Sequence, residues 1–214
     1  MQRYRTIKKD KVYTGEIVEK KSRFIAALFQ VDSEAAAADF LASVRKKHYD
    51  AKHNCSAYII AGENKAPDIL HSSDDGEPSG TAGKPIMNVL TGAELKNVIL
   101  VVTRYFGGTL LGTGGLVRAY TDAAKIAVEN ADIIIMAEFI RVAVTFDYKN
   151  EGAVRRLLDE MGLYPKDTEY SDRVKFSADI PADFKDAFRK RLTEALSGSA
   201  LYEETGTFLL PDKL

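Results

Sequence analysis

The sequence is poor in the features that would take it out of the ordinary globular class. It holds one cysteine, Cys55, so no internal disulfide can form and a disulfide-stapled scaffold is excluded. It lacks the run of about 18 apolar residues that a bilayer-spanning helix needs; the longest apolar runs are Val98 to Val102 and Ile133 to Ala137. Met1 to Asp10 is charged where a secretory signal would be apolar, so a cytoplasmic address is expected. Charge of one sign is also missing. Thirty Lys and Arg face 31 Asp and Glu, a formal net charge of −1, so bulk attraction to nucleic acid or an acidic membrane is not implied and any anion site is local. Apolar residues at 45% and charged residues at 29% exclude pervasive disorder, and 214 residues suffice for one large domain or two ordinary ones.

Several catalytic signatures are absent as well. There is no G-x-S-x-G elbow, and His48, His53 and His71 complete no recognisable triad. His53 and Cys55 are two apart but lack the further ligands that zinc requires, which favours a packing role. Pro85 follows Lys84 where a P-loop needs Ser or Thr, and Asp74, Asp75 and Glu77 lack the spacing of an EF-hand. Gly112-Thr113-Gly114 starts a dinucleotide fingerprint, but Val117 stands where its third glycine belongs.

What is present reads as alternating strands and helices. Val12 to Val31 suggests two strands joined by a basic turn at Lys20 to Arg23. Ser33 is placed to cap a helix with Glu34 in its first turn and Ala37, Phe40, Leu41, Val44 and His48 along one face. Ser56 to Ala61 reads as a strand, and Gly62 to Gly80 as a loop too long for a simple connection. Val98 to Val102 predicts a central strand covered on both faces. A helix from near Thr113 to Asn130 buries Leu116, Ala119, Tyr120, Ala123 and Ala127, with Arg118/Asp122 and Lys125/Glu129 as i, i+4 pairs. Past a boundary near residues 132 to 137 the pattern is a strand over Ile140 to Phe146, then a helix capped by Asn150 and ending at Gly162. Strands over Tyr164 to Tyr170 and Val174 to Ile180, a helix from Phe184 to Gly198 and a strand over Leu201 to Leu210 complete the βαββαβ order of the ferredoxin-like motif. The chain is thus expected to be α+β in two domains, residues 1–134 and 135–214.

Two stretches carry candidate chemistry. Ser72 to Pro85 is a loop feeding a helix that starts near Thr81, because Pro85 is tolerated where a first-turn N–H has no partner. Asp74, Asp75 and Glu77 suit Mg²⁺, while Ser79, Thr81 and Lys84 suit a phosphate at the helix start; equally, the carboxylates suit backbone N–H groups that fix the loop. Arg104 to Arg118 places a glycine-rich turn between a buried strand and a helix. Gly107, Gly108, Gly112, Thr113, Gly114 and Gly115 would present N–H groups to an anion, flanked by Arg104 and Arg118, with Tyr105 or Phe106 stacking on a base. The same glycines also suit close packing of helix on strand. Arg45-Lys46-Lys47, Arg155-Arg156 and Lys185 to Arg191 read as solvated surface.

Ser73 to Pro85 and Val102 to Tyr120, taken together and in this order, closely resemble the two signature stretches of the IMPACT family in its bacterial branch; Lys20-Lys21-Ser22-Arg23-Phe24 is similar to the family's N-terminal strand motif. The resemblance covers the whole chain. It implies a ribosomal protein S5 domain 2-like α/β domain followed by a ferredoxin-like domain, each similar to a domain near the end of elongation factor G. It also implies a translation-associated regulatory factor that binds RNA, the ribosome or another phosphate-rich partner. Lys84, Arg104, Tyr105, Arg118 and the glycine-rich loop would carry that binding, with no cofactor and no metal. The alternative is a Mg²⁺-dependent, kinase-like enzyme at the same site, on the analogy of small-molecule kinases that share the fold.

Overall fold

The structure is a computed structural model that describes residues 3–62 and 66–212. Met1 and Gln2 of the charged start, and residues 63–65 of the expected long loop, lie outside the described residues. The chain divides into two compact units, one over Tyr4–Ile135 and one from Met136 onward that also takes Arg3. No helix among the described residues is long and apolar enough to cross a membrane.

In the first unit β1 (Arg3–Ile7) leads to the hairpin of β2 (Tyr13–Glu19) and β3 (Ser22–Gln30), followed by α1 (Glu34–Lys47). Then come β4 (His53–Ile60), β5 (Ile69–Ser73), α2 (Gly83–Gly92), β6 (Val98–Tyr105) and α3 (Gly112–Glu129). The sheet runs β2-β3-β6-β4-β5 and is antiparallel throughout. Alternate residues of a strand face opposite sides, so the apolar run in β6 serves two cores. Val98, Leu100 and Val102 pack with Ile86 and Leu90 of α2 and Leu116, Tyr120 and Ala123 of α3. Ile99 and Val101 pack with Ala37 and Val44 of α1. Each fully buried Val, Leu or Ile among these contributes about 1.5–3 kcal/mol.

Local signals explain most boundaries. Ser33 Oγ accepts the Ala36 N–H at 3.2 Å, and Arg45, Lys46 and Lys47 crowd the negative end of α1. The β2–β3 turn places both Lys20 (φ 46°) and Lys21 (φ 66°) in the left-handed region, as a two-residue hairpin of this hand requires. Three expectations are corrected. Residues 69–73 are a strand, not loop, and β4 starts at His53 rather than Ser56. The Arg118/Asp122 and Lys125/Glu129 pairs on α3 are absent from the ion pairs of the described residues.

The second unit holds β7 (Ile133–Phe146), α4 (Glu151–Glu160), β8 (Lys166–Tyr170), β9 (Val174–Pro181), α5 (Lys185–Ala195) and β10 (Leu201–Pro211). The strand order β10-β7-β9-β8, all antiparallel, is that of the ferredoxin-like βαββαβ motif. Val142, Val144 and Phe146 of β7 meet Phe176 and Ile180 of β9, Leu157 of α4, and Phe188 and Leu192 of α5 in one core. Gly162 ends α4 at φ 64°, as its left-handed C-terminal turn requires. Asn150 sits at the expected cap position, but its side chain makes no cap bond; a 3₁₀ turn over Tyr148–Asn150 leads into α4 and Asn150 Nδ2 donates to Ser199 Oγ at 3.3 Å.

Candidate functional site

Strand registers of the first unit bring both motif stretches to one end of its sheet. Arg23 of β3 and His53 of β4 flank the C-terminal residues Tyr105 and Arg104 of β6, and Ser73, the last residue of β5, pairs with Ser56. The loop after β5, the loop after β6, the Lys20-Lys21 turn and the C-terminus of α1 therefore converge. Two glycines make the convergence possible. A Cβ on Gly107 would lie 2.1 Å from the carbonyl carbon of Lys21, and one on Gly83 would lie 2.8 Å from the backbone of Ser73. The Gly107 N–H also donates to Ser22 Oγ at 3.1 Å, which fixes the glycine-rich loop to the basic turn.

The three carboxylates of the first loop turn to separate partners. Asp74 Oδ1 accepts the N–H groups of Ala82 (2.9 Å) and Gly83 (2.8 Å), and its Oδ2 accepts that of Gly80 (2.8 Å). Burial pushes the Asp74 carboxyl up, but the three N–H bonds outweigh it and hold the group below the usual range. The positive end of α2, where Lys84 lies exposed, thus receives its anion from the chain itself. Asp75, at φ 42°, pairs with Arg45 at 2.7 Å and accepts the Asn54 N–H at 2.7 Å. Glu77 is buried and accepts from both Arg104 Nη1 (2.7 Å) and the Tyr120 hydroxyl (2.8 Å). Among the described residues no group of three or more His, Cys, Asp or Glu is placed to hold a metal ion. Thr81 Oγ1 donates to Pro78 O at 2.6 Å, closing the turn, and Ser79 is exposed.

Cys55, expected as packing, lies buried 3.3 Å from the Tyr120 hydroxyl. Burial pushes its thiol up to about 12, so it carries no thiolate nucleophile at neutral pH. His53 Nδ1 is 2.9 Å from Asp75 O and holds the loop rather than a metal.

The second loop alternates across the sheet. Arg104 faces inward at 6% exposure and lies 5.5 Å from each of the Phe24 and Phe106 rings; its Nε has no hydrogen-bond partner. This side chain, expected to flank the anion, ties the loops together through Glu77. Tyr105 faces the other side, where its hydroxyl donates to Asp50 Oδ1 at 3.1 Å and stands 2.9 Å from His48 Nδ1. Burial, then the charges of Lys47 and Arg23, lower the His48 pKa. Beyond them Phe106, Gly108, Thr109 and Leu110 are exposed. Leu111 stands at the cap position of α3 and provides no side-chain acceptor, so the N–H groups at Gly112 to Gly115 have no side-chain cap. Gly112, Thr113, Gly114 and Arg118 are exposed there.

In the sequence Arg45 to Lys47 reads as plain solvated surface. The fold gathers Lys20, Lys21, Lys46, Lys47 and Lys52 at the same sheet end. All five are exposed, and none has an ion-pair partner among the described residues. Only the topology reveals this grouping, because the residues come from a turn, a helix end and the approach to β4.

The Impact N-terminal domain model matches residues 20–128, and a model named Domain of unknown function (DUF1949) matches residues 144–199. The chain is 39% identical over 189 residues to IMPACT family member YvyE of Bacillus subtilis (strain 168), 88% of this chain and 86% of that protein. It is 36% identical over 180 residues to IMPACT family member YigZ of Escherichia coli (strain K12), covering 84% and 88%. A solved structure described as that of an hypothetical protein is similar with a TM-score of 0.62 at 32% identity, covering 96% of this chain and 98% of that one.

Proposed function

The chain belongs to the IMPACT family, and from that premise we propose that it is a translation-associated regulatory factor whose first unit binds RNA or the ribosome through phosphates. One observation carries the reading. Exposed cations without ion-pair partners, Lys20, Lys21, Lys46, Lys47 and Lys52, gather at the sheet end from which the glycine-rich loop leads into the uncapped N-terminus of α3. A near-neutral chain that sorts its charge in this way gains a local anion site without general stickiness. Lys84 and Arg118 are the flanking contacts, Gly112 to Gly115 supply N–H donors, and Gly107 and Gly108 shape the approach. Tyr105 and Arg104 hold the loop in place. Lysines at two left-handed positions, where Asn-Gly is the cheaper choice, fit a turn kept for its charge.

The test is binding of the full chain to ribosomes and to RNA across a salt series. Affinity should fall steeply with salt, by about 0.7 in log–log slope for each single-strand phosphate neutralised. Replacing Lys20, Lys21 and Arg118 together by Ala should flatten that slope. Binding that ignores salt, or no binding to either by folded protein, would remove the proposal.

A further inference from the structure

We infer that the partner of this face presents an unpaired base, and that Phe106 is the platform on which it stacks, so that single-stranded RNA is bound in preference to duplex. The inference rests on the phosphate-binding reading above and adds to it a second kind of contact. Phe24, Arg104 and Phe106 share one face of the sheet: Phe24 and Arg104 are register partners, and Phe106 follows Arg104 by two. The guanidinium is 5.5 Å from both rings. Exposure rises outward through the three, from 0% at Phe24 to 6% at Arg104 and 50% at Phe106. The series thus ends in a half-bare aromatic ring held from within by a fixed cation.

The sequence allowed either Tyr105 or Phe106 this role, and the structure separates them. Tyr105 is committed by its hydroxyl to Asp50 and His48, and its ring stands edge-on to the His48 ring. Phe106 has no polar handle and no such engagement. Immediately after it, Gly107 lies against the Lys21 backbone, so the segment that carries the ring is packed on the turn that bears two exposed lysines, Lys20 and Lys21. An exposed aromatic on a segment packed against a cationic turn is the combination that binds single strands, base on ring and phosphate on lysine. Paired bases in an A-form helix offer no free face to such a ring.

The experiment uses the full chain with a fluorescently labelled RNA oligonucleotide, alone and annealed to its complement. Wild type should bind the single strand more tightly than the duplex. Phe106→Ala should weaken single-strand binding about tenfold or more while leaving the salt dependence unchanged, because no charge is lost. Phe106→Tyr should restore most of the affinity, which a purely structural loss would not do. The sequence has no tryptophan, so Phe106→Trp gives a single indole whose emission should be quenched as the oligonucleotide binds. The inference is overturned if Phe106→Ala binds like wild type, if duplex competes equally, or if the indole emission stays constant while binding is recorded by anisotropy. Absence of any RNA binding by wild type would instead remove the phosphate-binding reading itself, and this inference with it.

Discussion

The loop before α2 and the loop before α3 both deliver a helix N-terminus to the same end of the first unit's sheet, but only the first brings its own anion. Asp74 closes on Gly80, Ala82 and Gly83, and Glu77 sinks into a buried pair with Arg104. The second loop has no acidic residue between Arg104 and Arg118, no side-chain cap, and exposed glycines at its helix start. An acidic cluster next to a glycine-rich loop suggests at first a metal-and-phosphate site made by both. The geometry separates the two loops: the acidic loop is internal scaffolding, and the helix start after the glycine-rich loop has no side-chain cap. N–H groups without a side-chain cap at the start of an 18-residue helix also carry the positive end of its dipole, so the two termini differ in what they would do to an approaching anion.

The largest effect should come from breaking the scaffold. Arg104→Ala leaves the Glu77 carboxylate buried without its cation, and such losses cost about 3–5 kcal/mol. Chemical denaturation should show a destabilisation of that order, and Arg104→Met combined with Glu77→Leu should recover a large part of it. If Arg104→Ala were as stable as wild type and lost only RNA binding, the arginine would be a ligand contact and the division between the loops would fail.

Next in size is Asp74. Asp74→Ala removes an acceptor from three backbone N–H groups and should cost about 2 kcal/mol, at the upper end for a helix cap. The sign with pH follows from its lowered pKa. Its contribution is complete above the ordinary value of 3.8 and is lost as pH falls through the lower folded-state value. Acidification through this range should therefore destabilise wild type more than Asp74→Asn, which titrates no carboxylate at that position. Parallel acid limbs for the two proteins would show that Asp74 is not held by these bonds.

The parts of this arrangement that were legible in the sequence are the local ones. The apolar run at Val98 to Val102 announced a strand buried on both sides, Ser33 announced a cap, and the glycines between Phe106 and Leu116 announced a strand-to-helix turn. Strand β5 was hidden because its residues, Ile69 to Ser73, are mostly exposed and lie beside glycine, proline and aspartate. The Asp74 cap spans up to nine residues, and the Glu77–Arg104 pair spans 27. No local pattern encodes such separations. The lysines are the clearest instance: Lys20-Lys21, Lys46-Lys47 and Lys52 are separate in sequence, and the registers that pair Arg23 with Tyr105 and His53 with Arg104 bring the segments next to them to one sheet end. Asn150 failed in the other direction, since its residue type suits a cap but a preceding 3₁₀ turn places it in helical backbone, where its amide serves Ser199 instead.

The smallest expected change in stability is the sharpest probe of the difference between the loops. Thr113 is exposed in the first turn of α3, and Thr113→Glu would give that helix the negative charge that Asp74 gives α2. A carboxylate in the first turn favours the helix by about 0.3–1 kcal/mol, so thermal unfolding should show a variant as stable as wild type or slightly more stable. The same charge would meet an approaching phosphate with repulsion where the glycine N–H groups would otherwise receive it. RNA or ribosome binding at low salt should therefore fall even though the fold is strengthened. The separation of the two readouts is what distinguishes an N-terminus reserved for a ligand from one merely lacking a cap: in the second case stability would rise and binding would be untouched.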